Sequence, residues 1–227
     1  SAGAGVSKEM RDAVVSAGAV MIDNSSAFRM EEDVPLVVPE VNPQDVTWHN
    51  GVIANPNCST IQMLVALKPI HDAVGIKRIV VSTYQAVSGT GQKGLEELER
   101  QTRDLFNMRE PENKVYPYRI AFNVLPHIDV FLENDYTKEE MKMFNETRKI
   151  MHSDIKVSAT CVRVPALRSH SESIWIETER PVSIEEARKA FAEGDGLVLM
   201  DNPAEKEYPM PLFLAGKDPV YVGRIRK

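Results

Sequence analysis

The chain has 227 residues, a formal net charge of −6 from 27 Lys and Arg against 33 Asp and Glu, and two cysteines. That length supports one large domain plus part of another. The acidic balance, without any basic cluster interleaved with aromatics, excludes nucleic acid as a partner, and no run approaches the roughly 18 apolar residues that a membrane span requires.

Residues 1–56 alternate helix and strand: a helix from Lys8 to Ala17, a strand at Ala19-Val20-Met21-Ile22, then a Pro-punctuated stretch around Leu36-Val37-Val38-Pro39. This alternation is that of a doubly wound α/β domain. Next comes Asn55-Pro56-Asn57-Cys58-Ser59-Thr60, turn signals and the capping types Ser59 and Thr60 before the apolar helical run Ile61 to Leu67. The segment places Cys58 where a turn hands over to a helix. Unpaired N–H groups and the helix dipole there are expected to lower a thiol's pKa and make it a nucleophile.

Beyond the helix a strand is expected over 76–85, ending in Gln85, then the turn Ser88-Gly89-Thr90-Gly91 and a helix over 94–107. Tyr116 to Asp135 carries Phe122, Leu125, Ile128, Val130, Phe131 and Leu132. That is too apolar for a free loop, and it is read as a subunit contact or as packing under its own domain. A polar helix follows at 137–152, with Glu139 and Lys142 on one face at a spacing of three. Alternation from Val157 to Val164, a polar turn with His170 and the strand 173–179 predict a hairpin with His170 at its mouth. Paired with a reactive cysteine, a histidine there is a candidate general acid or base. Pro181-Val182-Ser183 opens a last helix, with Ser183 as cap and Glu186 at the capping-box position. Mixed sheet with helices on one face makes the part from 57 onward α+β. Cys161 reads as a buried strand residue, so Cys58 and Cys161 are not expected to bridge, which suits a reducing cytoplasm. Neither CxxC nor metal-spaced His and Cys occurs, so no metal is indicated.

Four separated blocks, Asp23-Asn24-Ser25-Ser26-Ala27-Phe28-Arg29, Asn55 to Thr60, Ser82 to Gly91 and Arg163 to Glu172, together resemble the aspartate-β-semialdehyde dehydrogenases in that family's order. The resemblance runs along nearly the whole chain. It implies a partial Rossmann-like nucleotide-binding domain at 1–56 and a catalytic and dimerisation domain at 57–227. It also implies a phosphorylating oxidoreductase that interconverts aspartate semialdehyde and β-aspartyl phosphate through a cysteine thioester, with NADP, in the biosynthesis of lysine, threonine and methionine. A cytoplasmic homodimer or homotetramer is expected.

The resemblance assigns roles only at matching positions. Cys58 is the nucleophile with Asn57 beside it, Gln85 orients substrate, and His170 accepts the proton. Arg163 clamps the substrate carboxylate and Glu139 contacts substrate, while Arg29 and Lys142 bind phosphate and Ser88 and Gly89 meet the cofactor. Alternatives stay open at some positions: Arg29 could pair with Glu31-Glu32-Asp33, and Gln85 could be plain sheet surface. The family's glycine-rich phosphate turn finds no match, Ser1-Ala2-Gly3 resembles a loop late in the nucleotide-binding half, and the closing segment is missing, so the chain reads as a central fragment expected to bind cofactor poorly by itself. N-acetyl-glutamyl-phosphate reductase, with the same Cys and His logic, and an inactive dimerisation core are the competing readings.

Overall fold

The computed structural model describes residues 3–227; Ser1 and Ala2 of the Ser1-Ala2-Gly3 loop lie outside the described residues. Helix α1 (Ala4–Ser16) leads into β1 (Met21–Asp23), which pairs in parallel with β2 (Val52–Ala54) in the register Met21↔Val52 to Asp23↔Ala54. Both strands end at the same edge. Asn24 and Asn55 follow them there, joined by Asn55 Nδ2 donating to Asn24 Oδ1 at 2.6 Å. Ligand sites of open α/β sheets gather at such carboxyl ends.

Helix α2 (Cys58–Val74) is the centre of the molecule. Met63, Leu64, Val65, Leu67 and Ile70 are all buried, each such side chain contributing about 2 kcal/mol by leaving water. Its cap is Asn57, one residue before the capping types Ser59 and Thr60: the Asn57 side chain accepts from Ser59 N and Thr60 N at 3.0 and 3.3 Å. Asn is as good a cap as Ser, and its extended backbone (φ −63°, ψ 141°) leaves Cys58 as the first helical residue. Pro69 lies inside the helix, and Gly75 at φ 74° ends it.

The second half is built on a three-stranded mixed sheet in the order β4-β3-β5, where β3 is Ile76–Gln85, β4 Lys156–Arg163 and β5 Ser171–Thr178. β4 runs parallel to β3 and β5 antiparallel, so β3 separates them and the expected hairpin does not form. Alternation on β4 and β5 reads equally well for a hairpin and for two strands flanking a third. The connection instead crosses the end of β3. Val164 N donates to Gln85 O, Val87 N to Ala166 O and Ser88 N to Leu167 O, and Ser169 turns the chain at φ 67°.

Helices α3 (Gln92–Phe106), α4 (Lys138–Met151) and α5 (Ile184–Glu193) complete this half. α5 opens with the Ser183 and Glu186 capping box expected, and α4 with a second, Thr137 and Glu140. The last 34 residues add the short parallel pair β6 (Leu197–Leu199) and β7 (Val220–Val222) and the four-residue helix α6 (Pro211–Leu214), whose lengths are too small to leave a periodic signal.

One core unites Phe28, Val34, Leu36 and Val52 with α2, α4, α5 and the inner face of the sheet. A second, smaller one gathers Val87, Leu98, Tyr116, Ile120, Ala121 and Leu125. The apolar segment 116–135 is therefore divided: Tyr116, Ile120, Leu125 and Ile128 pack inside, whereas Tyr118, Phe122, Val130 and Phe131 stand exposed. Its inner half hangs on α3. Glu97 accepts from the N–H groups of Lys114, Val115 and Tyr116 at 2.8, 2.8 and 3.1 Å, and Gln101 Oε1 accepts from Ile120 and Ala121.

Candidate active site

Three chain segments meet above the sheet: the start of α2, the end of β3 with the 3-10 turn Val87–Thr90, and the first turns of α4. Cys58 is exposed at the α2 start. Beneath it, Asn57 Nδ2 donates to Glu139 Oε1 at 2.9 Å, Gln85 Nε2 donates to the same oxygen at 3.4 Å, and Lys142 Nζ donates to Glu139 Oε2 at 2.9 Å. Glu139 thus binds together three of the other residues expected in the site, Asn57, Gln85 and Lys142. Burial pushes its carboxyl up, but Lys142, Asn57 and Gln85 outweigh that and hold it below the usual carboxylate range. Burial likewise works against the charge on Lys142, yet Glu139 and Asp129 keep its ammonium above the ordinary lysine range.

The opposite wall is organised by one peptide. Ala86 N–H donates to His170 Nδ1 at 3.0 Å, and Ala86 O accepts from Arg163 Nη1 at 2.8 Å. Both side chains converge on Gly89: a Cβ there would lie 2.9 Å from Arg163 Nη1 and 3.1 Å from His170 Nε2. Burial, then the Arg163 charge, depresses His170 to about 4. The imidazole is neutral at physiological pH, and because Nδ1 accepts from Ala86 its proton is on Nε2, directed toward Gly89. The resting ring therefore donates at Nε2; accepting a proton there requires the other tautomer, with the proton on Nδ1, and so the release of Ala86.

The thiol departs from expectation. Burial among protein atoms and then the Glu139 charge raise Cys58 above the ordinary cysteine range, and the Ser59 N–H and Arg163 only partly oppose them. Although the residue is exposed, its surroundings are largely protein and its strongest charged neighbour is an anion, so the helix start does not win in the resting site. Cys161 is fully buried with its Sγ 3.8 Å from Met143 Sδ, and burial pushes it to about 12. The two cysteines are not bridged.

Arg29 does not stand as a free cation for phosphate. Its nitrogens donate to Asn55 O, Asn24 O and Glu146 Oε1 at 2.9, 3.1 and 3.2 Å. The acidic run expected as its alternative partner is taken by Arg11, which pairs with Glu31 and Asp33. Gln85 is not sheet surface: it is 1% exposed on the inner face. Ser88 lies on the turn facing the Ala166 to Ser169 crossing.

Glu146 was not anticipated. It is buried, accepts from Asn57 N at 2.7 Å and holds Arg29, so it props the Asn55 to Cys58 loop from below. Glu139, Lys142 and Glu146 follow the i, i+3, i+7 spacing of one helical face, the signal that could have found it. Among the described residues no group of His, Cys, Asp and Glu is arranged to hold a metal, and no helix is long and apolar enough to cross a membrane.

A thiol, a neutral imidazole, a fixed guanidinium and a carboxylate around a glycine floor, on a mixed sheet appended to a nucleotide-binding fold, define a semialdehyde dehydrogenase. Family models agree: the semialdehyde dehydrogenase dimerisation domain matches residues 67–227 and its NAD binding domain residues 1–49. The aspartate-semialdehyde dehydrogenase of Aquifex aeolicus is 60% identical over 231 residues, covering all of this chain and 68% of that protein. The crystal structure of aspartate semialdehyde dehydrogenase II from Vibrio cholerae matches all of the chain and 68% of its own with a TM-score of 0.97 at 49% identity, and its complex with ASA gives 0.96 at 48%. The Candida albicans enzyme solved with NADP aligns over 98% of this chain and 66% of its own at a TM-score of 0.73 and 26% identity. The chain belongs to the aspartate-semialdehyde dehydrogenase family. The N-acetyl-glutamyl-phosphate reductase alternative is not favoured by these relatives.

Proposed function

We propose that the site interconverts L-aspartate-β-semialdehyde and β-aspartyl phosphate through a thioester on Cys58, using NADP, within a cytoplasmic enzyme of lysine, threonine and methionine biosynthesis. The observation that carries this reading is the convergence of Arg163 and His170 on Gly89, with Glu139 close enough to govern the Cys58 thiol. A substrate with a carboxylate, an ammonium and an aldehyde needs such a fixed cation, a fixed anion and a nucleophile.

In the oxidative direction Arg163 holds the substrate carboxylate and Glu139 its ammonium. Cys58 loses its thiol proton to solvent as the substrate binds and adds as thiolate to the aldehyde carbon, forming the C–S bond as the carbonyl π bond breaks. The resulting alkoxide accepts a hydrogen bond from His170 Nε2–H and takes its proton from solvent. As the thioester forms, the hydroxyl proton passes to Nε2 of His170, once the ring's own proton has moved to Nδ1 and the Ala86 contact has been released. A phosphate oxygen then attacks the thioester carbon, the C–S bond breaks and Cys58 leaves as thiolate. Lys142 supplies the charge for that phosphate, with Arg29 joining only by exchanging Glu146 for the ligand.

A nicotinamide cofactor supplies the hydride acceptor when bound. Ser88 and Gly89 are the residues that would hold its ring end, and the absence of a side chain at Gly89, where a Cβ would meet Arg163 and His170, fits a planar group lying against them. The NADP-bound Candida relative supports the phosphorylated cofactor.

For assembly we propose a homodimer, or a tetramer built from it. Its contact is the outer face of the sheet, where Val80, Tyr84 and Trp175 are exposed, together with the outer half of 116–135. Steady-state kinetics of the full-length enzyme test the site. Arg163→Ala should raise KM for the semialdehyde and Lys142→Ala KM for phosphate, each by about a hundredfold. His170→Asn should lower kcat by about two to four powers of ten. Loss of only KM in His170→Asn refutes its role, and a marked preference for NAD refutes the cofactor.

A further inference from the structure

Beneath the layer of Gln85, Arg163 and His170 lies a second polar layer on the same inner face of the sheet. Thr83 on β3 is paired with Cys161 on β4 and with Glu172 on β5. Glu172 is the second residue of β5, and His170 stands just before the strand begins. Glu172 Oε1 accepts from Gln62 Nε2 at 2.7 Å, a contact between residues 110 apart in the chain. Gln62 is one helical turn beyond Cys58 and on the same side of α2. Glu172 as a residue is half-buried, but its Oε2 is sealed from solvent and has no hydrogen-bond partner among the described residues.

We infer that Glu172 is a positioning residue that pins helix α2, and with it Cys58, to the strand that presents His170. The inference rests on the assignment of Cys58 and His170 above. Thiol and imidazole arrive on different elements, and addition to a carbonyl needs them fixed to within tenths of an ångström. The Gln62 to Glu172 hydrogen bond ties those elements directly beneath the reacting groups.

The surroundings define the form that works. Burial pushes the Glu172 carboxyl up to about 8, against the opposing hydrogen bond from Gln62, so the neutral acid is present at pH 7. Facing it are Thr83 from β3, Gln62 from α2 and Cys161 from β4, whose thiol also feels Glu139 and Glu140 from α4. His170 and Arg163 belong to the layer above. Ionisation above pH 8 puts a charge where burial opposes it more than the Gln62 hydrogen bond favours it, and so drives the side chain toward water and away from Gln62.

The test uses the full-length enzyme. Glu172→Ala should lower kcat about tenfold or more with the semialdehyde KM within about threefold, and Gln62→Leu should reproduce this from the other side of the contact. Glu172→Gln keeps an acceptor for Gln62 and carries no charge, so it should restore kcat at pH 7 and abolish the decline expected of the native enzyme above pH 8. A native kcat in Glu172→Ala, or the same high-pH decline in Glu172→Gln as in the native enzyme, overturns the inference. Should Glu172→Ala not fold, the pH profile of Glu172→Gln decides alone. Cys58→Ala is run alongside: its inactivity with a normal Glu172→Ala sinks only the positioning role, whereas turnover by Cys58→Ala removes the catalytic assignment and the inference with it.

Discussion

Gly89→Ala isolates the geometry of the carboxylate clamp and the imidazole from the stability of the fold. The added Cβ lands 2.9 Å from Arg163 Nη1, 3.1 Å from His170 Nε2 and 3.2 Å from its Cε1. Ordinary contact between such atoms needs roughly 3.5 Å, so both groups must retreat by about half an ångström. Each is tethered to Ala86, through contacts of 2.8 Å from Arg163 and 3.0 Å to His170, and neither can retreat without stretching its tether. The backbone of Gly89 is not among the positive-φ glycines, so alanine brings no strain of its own and stiffens the unfolded chain by about 0.4–1 kcal/mol. Stability should hold or rise slightly. Misplacement by an ångström costs about a hundredfold, so half of that should cost kcat/KM roughly tenfold, about 1.4 kcal/mol, shared between a higher semialdehyde KM and a lower kcat. Steady-state kinetics beside a thermal unfolding curve measure both. Activity within about twofold of native, or a loss of activity matched by a large fall in Tm, refutes the reasoning.

Further expectations come from the charged groups. Because burial and Glu139 hold the Cys58 thiol above its ordinary range, the iodoacetamide rate at Cys58 should still be climbing with pH above about 9, and Glu139→Gln should accelerate it at neutrality; a plateau below pH 8 contradicts this. Peptide mapping should find Cys58 alkylated before Cys161, whose thiol is pushed to about 12. His170 sits near 4 when folded and about 6.5 when unfolded, so between those values the unfolded chain alone binds the proton and stability falls as pH drops. Partial exposure discounts the full linkage to about 2 kcal/mol at pH 4, and His170→Asn should remove that much of the acid loss in urea titrations. Glu97→Ala strands three backbone N–H groups and should destabilise by about 3–5 kcal/mol, with early proteolysis between residues 108 and 125. An unchanged urea midpoint would show the segment holding itself.

The sequence was most legible where one residue type at one spacing has few physical uses. The turn that precedes the apolar run of α2 and the Glu139 and Lys142 pair three apart read correctly onto elements, although the cap is Asn57 rather than Ser59 or Thr60, and Gln85, which could have been sheet surface, is buried. The strand pairing was not legible. β4 and β5 carry the same alternation in a hairpin and on either side of β3, and only the crossing of Val164 to Ser169 over the β3 end, which rests on backbone hydrogen bonds, decides between them. That crossing also brings His170 to Ala86. Backbone partners explain the other surprises: Glu146 acts on Asn57 N, Glu97 on three amides and Lys149 on the carbonyls of Arg29, Glu31 and Val34. Charged side chains that serve amides rather than charges look like solvated surface until the chain is folded.

The raised thiol and the depressed imidazole together describe a site at rest, with both groups neutral. A neutral thiol beside a neutral imidazole makes a poor nucleophile, so activation has to come from what binds. After burial, the largest contribution holding the proton on Cys58 is the Glu139 charge, while Arg163 acts in the opposite sense. A substrate ammonium placed on Glu139 cancels the first, though its carboxylate on Arg163 weakens the second; the balance favours thiolate because Glu139 outranks Arg163. On the proposed binding mode Glu139 would have two linked duties, to recognise the amine and to keep the thiol protonated until the amine arrives. A substrate lacking the amine should therefore lose kcat as well as affinity, since it leaves the thiol under the unscreened carboxylate.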